Sequence, residues 1–203
     1  MLAIVPGHLT GVARGLRMPS IEGRTCPVLA TSVYLIVFRT IHIVGAIAWG
    51  GAIFLFVFFL QPTAKAVGPA AGPFMRELLG KRKVVTVVLW IAGSTIVGGA
   101  FLYWHDWQRF GSLGDFVGSG FGLGLTIGSV SAVVAFLVGL LGTKPTIDRM
   151  LSLGGQMAAA GDPPPADLAQ ELQRTQARAR TLAKTNLTFV ALAAVTMATA
   201  RYW

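Results

Sequence analysis

Arg39 and His42 stand one turn apart in FRTIHIVGAIAWGG, residues 38–51, a run that is otherwise apolar. An imidazole can ligate a metal or a haem iron, and a guanidinium can hold a carboxylate or phosphate. His105, Met197 and Arg201 extend the set. Two neutral imidazoles, or an imidazole and a thioether, are common axial pairs for haem. Arg39 and Arg201 would then pair with the propionates. The triad His42, His105 and Met197 is also a mixed set suited to copper. So His42, His105, Arg39 and Arg201 are candidate cofactor-binding residues, and His42, His105 and Met197 are candidate metal ligands.

Each residue has a plainer reading. Arg39 can snorkel to lipid headgroups. His105 sits beside Trp104 and Asp106, as an interfacial residue would. Met197 can fill a core, and Arg201 can anchor a chain end. His42 can make a helix–helix hydrogen bond.

The elements that must position these residues are read from charge. The chain has 203 residues, 54% hydrophobic and only 12% charged, where a soluble domain carries about 25%. Thr40–Leu60 and Val84–Trp104 each run 21 residues without a charged side chain, Phe116–Thr143 runs 28, and Thr185–Ala200 runs 16. About 20 apolar residues cross a bilayer. The expectation is an all-α fold, a four-helix transmembrane bundle with spans at about 33–61, 84–105, 116–143 and 185–203. A tail of 1–30, rich in Pro and Gly, precedes a single membrane domain of 31–203. Met18 is an alternative beginning.

The net charge is +9, and its distribution gives an orientation. The loops expected at 61–83 and 144–184 hold eleven Lys and Arg, whereas the opposite loop, 105–115, holds only Arg109. The positive-inside rule puts both basic segments in the cytoplasm and both termini outside. Anionic lipid headgroups are expected partners of the basic segments. Nucleic acid is not, because no basic stripe carries interleaved aromatics. Within 144–184, helix three continues to about Ala160, GDPPP (161–165) stops it, and one long helix runs from Ala166 into span four. Arg174 and Arg178 share a face of that helix, so 166–184 is a candidate protein-docking surface.

With this orientation Arg39, His42, His105 and Arg201 all fall near the outer boundary. His42 and His105 differ in depth by about 6 Å at 1.5 Å per residue. Other chemistry finds little support. GFGLG (120–124) has no preceding strand and lies in a span, so it is no phosphate loop. No Asp or Glu lies in a span core, which argues against a carboxylate-based proton pump. Cys26 is the only cysteine, so no intrachain disulfide and no thiolate cluster can form.

The pattern HIVGAIAWGGAIF…QP, from His42 through Trp49-Gly50-Gly51 to Pro62, resembles the first helix of CopD-like membrane proteins. These include copper-resistance protein D domains and small bacterial membrane proteins. It is also distantly similar to the HemJ-type protoporphyrinogen oxidases. The ending MATARYW (197–203) resembles the C-terminus of small members. The resemblance covers roughly Tyr34–Trp203. It implies a four-helix bundle in a bacterial inner membrane, with His42 as a haem b or copper ligand. Oxidases of that type use a lysine in a later helix, whereas Lys144 and Lys184 stand here at the basic ends of spans three and four. The leading expectation is a haem b or copper protein acting in electron transfer or copper handling. The competing one is a cofactor-free structural or assembly subunit of a larger membrane complex. A small-solute permease is the third.

Overall fold

The computed structural model describes residues 25–203 apart from Asp162 and Pro164, with side chains from Val33 onward. It divides into two compact units, Met1–Tyr34 and Leu35–Trp203. The tail expected over 1–30 lies outside the described residues as far as residue 24.

The described residues form helices and turns, with no strand. Helix α1 is Thr25–Leu55. It continues through a π-helical turn (Phe56–Leu60), α2 (Gln61–Val67), a 3-10 turn (Gly68–Ala71), α3 (Gly72–Arg76) and a second π turn (Glu77–Lys81). The segment 61–83 is therefore helical nearly throughout. Pro62 closely follows the π turn, and Pro69 and Pro73 follow the break at Gly68, whose φ is +67°; each stands in the first turn of a short helix, where its fixed φ is suited to the helix. Lys83 takes a left-handed conformation (φ 49°) and breaks the run.

Helix α4 (Val84–Trp107) follows, then short α5 (Leu113–Gly118) and α6 (Gly120–Leu137). Ser112 and Ser119 cap α5 and α6 by accepting from the Asp115 and Gly122 amides, a preferred N-cap use of serine. A π turn (Val138–Thr143) leads into α7 (Lys144–Ala159). Gly161, at φ +88°, ends that helix; glycine adopts this conformation without a Cβ penalty. Helix α8 (Ala166–Thr199) and a 3-10 turn (Ala200–Tyr202) close the chain.

Four helices are long and apolar enough to cross a membrane: Val33–Lys81, Val84–Trp107, Gly120–Ala159 and Ala166–Tyr202. Ile47 and Trp90 are 69% and 78% exposed, an outer surface that suits hydrocarbon rather than water. A central layer joins the four. Trp49, Ala92 and Ala135 are buried, with Ile53, Val88, Phe136, Phe189 and Val190 packed against them.

The tightest seam is α6 against α8. An added Cβ at Gly124 would lie 2.9 Å from the Ala200 Cβ, and one at Gly128 would lie 2.6 Å from Met197 Cγ. Farther along, Asn186 donates from Nδ2 to the Ala135 carbonyl at 3.0 Å. These pairings descend on one helix as they climb on the other, so the two are antiparallel. Small residues let helix backbones approach in this way when no hydrophobic effect drives them together. At the basic end Arg149 donates to Glu171 from Nε at 3.0 Å and from Nη2 at 2.6 Å, tying α7 to α8.

Candidate functional site

His42 is half-buried, and its Nδ1 lies 2.9 Å from the Thr95 carbonyl oxygen on α4. A carbonyl only accepts, so Nδ1 carries the proton and donates. Glycines make the approach possible. An added Cβ at Gly99 would lie 2.8 Å from Nδ1 and Cε1 of the ring, and one at Gly98 would lie 3.2 Å from the Phe38 carbonyl. One helical turn toward the basic end, an added Cβ at Gly45 would overlap Thr95 Oγ1. Thr95 Oγ1 is itself satisfied by the Ile91 carbonyl at 2.8 Å. A tilted contact of Phe38 with Phe101, ring centroids 4.4 Å apart, extends the interface toward the other end. The imidazole thus bridges α1 and α4 across a strip of small residues.

In the neutral ring this tautomer leaves the lone pair on Nε2, and His42 makes no second hydrogen bond among the described residues. The other candidate residues are placed differently. His105 is six residues beyond Gly99, about 9 Å of helix rise, and its Nδ1 is 3.6 Å from Asp106 Oδ1. Met197 starts at about the level of His42. Gly50 packs on Val190 with an added Cβ 3.4 Å from Cγ1, and eight residues back along α1 or seven forward along α8 give similar rises. Its Cγ and Cε nevertheless lie against Gly128, at 2.6 and 3.1 Å from an added Cβ. Arg39 and Arg201 are exposed, and the Arg201 guanidinium stands 5.5 Å over the Tyr202 ring. Among the described residues no three His, Cys, Asp or Glu side chains gather as a metal-binding group.

Two cavities lie toward the basic end, and His42 lines neither. One, of about 230 Å³, is bordered by Trp49, Ala135 and Asn186. The other, of about 680 Å³, lies between the 61–83 segment, α7 and α8. Only the second reaches the ~300–1,000 Å³ typical of small-molecule sites.

Asn186, on the wall of the smaller cavity, is a buried polar residue that reasoning from His and Arg missed. It is 7% exposed, and its Oδ1 has no hydrogen-bond partner among the described residues. The signal was available: it is the one carboxamide in the four charge-free runs. Comparison with known proteins adds no relative, since no family model, no curated protein and no solved structure matches this chain.

Proposed function

We propose that the chain is a cofactor-free integral membrane subunit in which His42 clamps the first two spans together. Its basic segments face the cytoplasm, and the exposed Arg174 and Arg178 on α8 offer a docking surface to a partner protein. The observation that carries this reading is the donation from His42 Nδ1 to the Thr95 carbonyl over Gly99. An imidazole left unpaired in a span is costly. Bonded to the neighbouring helix it is satisfied, and such bonds contribute about 0.6 kcal/mol on average, up to about 1.7.

A second reading keeps His42 as the ligand of haem b or copper in a CopD-like protein. One observation favours it. Metal-ligating imidazoles commonly donate their other N–H to a carbonyl, which fixes the tautomer and leaves the second nitrogen free to ligate. Only Nε2 of His42 is so disposed, and Met197 is the nearest candidate in level for a second ligand.

His42→Ala and His42→Gln separate the two. Under the clamp reading, His42→Ala lowers unfolding stability by about 0.6–1.7 kcal/mol, measured by denaturant titration in mixed micelles. His42→Gln, which can still donate to Thr95, recovers at least half of that loss. Under the ligand reading, both variants abolish cofactor binding alike, because a carboxamide does not replace imidazole at iron or copper.

A further inference from the structure

The larger cavity, of about 680 Å³, has a divided lining. Leu79, Ile147, Met150 and Leu172 supply apolar wall, while Lys65, Arg76 and Arg180 supply three cations. Among the described residues no carboxylate borders it. Of the acids nearby, Glu77 pairs with Lys81 and Arg82, Asp148 with Lys144, and Glu171 with Arg149, whereas Asp167, at the start of α8, does not line the cavity. Lys65, Arg76 and Arg180 make no ion pair among the described residues. The cavity also straddles a boundary. Phe56 on its wall belongs to the charge-free run of span one, whereas Arg180 lies outside that of span four.

We infer that this cavity seats one anionic phospholipid of the adjoining leaflet, its phosphate among Lys65, Arg76 and Arg180 and its acyl chains on the apolar wall. Charge complementarity selects the head group, since a zwitterionic lipid would bring its own cation to an already cationic rim. The apolar wall selects an amphiphile over a free anion. Juxtamembrane Lys and Arg attract anionic lipid individually; three around one cavity define a place for it. The inference rests on the membrane reading and not on the role of His42. A failed lipid test therefore leaves the clamp untouched, and the reverse also holds.

The test uses the full chain, delipidated in neutral detergent and offered equal phosphatidylglycerol and phosphatidylcholine. Retained lipid is counted by native mass spectrometry. One phosphatidylglycerol per chain is expected, with at least about tenfold preference. Lys65→Gln/Arg76→Gln/Arg180→Gln should remove the preference. Arg174→Gln/Arg178→Gln/Lys184→Gln loses the same charge outside the cavity and should keep it. Gly154→Trp adds bulk to the lining where a Cβ meets nothing within 4 Å, so it should expel the lipid with the fold intact. Equal losses in the two triple variants would overturn the inference, as would retention in Gly154→Trp. Displacement by millimolar inorganic phosphate would overturn it in favour of a soluble anion.

Discussion

Asn186→Asp is expected to destabilise the protein by about 3–5 kcal/mol, the cost of leaving a buried charge without a partner. Asn186 sits in the α6–α8 seam, where only its nitrogen can serve the Ala135 carbonyl. That requirement fixes how the carboxamide is turned. It also leaves Oδ1 buried with no donor among the described residues. At neutral pH a charged aspartate would place an acceptor against an acceptor, with no cation among the residues lining the cavity that Trp49, Val88 and Ala183 help to form; a protonated one could donate to Ala135 but would carry the cost of taking up its proton. Asn186→Leu is the control. It forfeits one hydrogen bond but also removes the unpaired oxygen, so its net effect should stay within about 1 kcal/mol. Denaturant unfolding in mixed micelles reads both. An Asn186→Asp protein as stable as the parent would mean that residue 186 does not lie in a packed seam.

Gly124→Leu is the second large effect, about 3 kcal/mol or more. Overpacking a close-packed contact usually costs about 1–3 kcal/mol, and this position lies at the upper end for a definite reason. The atoms in the way are the Ala200 Cα, at 3.0 Å from an added Cβ, and the Thr196 carbonyl, at 3.4 Å. Backbone cannot rotate aside as a side-chain tip can, so α8 must move away from α6. That movement loosens the Gly128 contact and the Asn186 bond farther along the same seam. Gly51→Leu on α1 is the contrast, because an added Cβ there meets nothing within 4 Å. It should be neutral or stabilising by up to about 1 kcal/mol through helix propensity. Thermal unfolding of the two variants side by side gives the comparison. Similar behaviour would contradict the antiparallel seam.

The four long apolar helices were legible because a charged side chain in hydrocarbon is expensive, and its absence over 21 or 28 residues leaves few alternatives. The continuation of the third helix to Ala159, the stop at Gly161 and the long helix from Ala166 were legible for an equally local reason. Glycine and proline punctuate a helix by their own backbone limits. Charge alone makes 61–83 a loop, because its five Lys and Arg exclude it from a span, whereas the segment is helical nearly throughout. Proline in a first turn looks, one residue at a time, like proline in a loop, and the short helices that it begins show only in three dimensions.

Facing was not legible on span two. Gly98 and Gly99 could be named as small residues on span two, but apolar helices without a polar side carry no amphipathic stripe to say which way they turn. The partner of His42 is a backbone carbonyl, which every residue possesses, so no side chain advertised it. Met197 illustrates the same gap. Its level follows from residue counting, whereas its packing on Gly128 follows from the orientation of α8. Asn186 was overlooked for a different reason: a carboxamide carries no charge, and charge was the signal being read.

The clamp at His42 is tested most directly by absorption spectroscopy of the detergent-purified chain from haem-replete, copper-supplied cells, oxidised and then reduced with dithionite. The His42→Ala and His42→Gln variants are measured beside it. The clamp reading predicts no Soret band and no copper signal in any of the three, with stability lost in His42→Ala and largely recovered in His42→Gln. A Soret band with sharp reduced α and β bands in the parent, or a visible copper absorption, lost in both variants, would contradict it and make His42 a ligand.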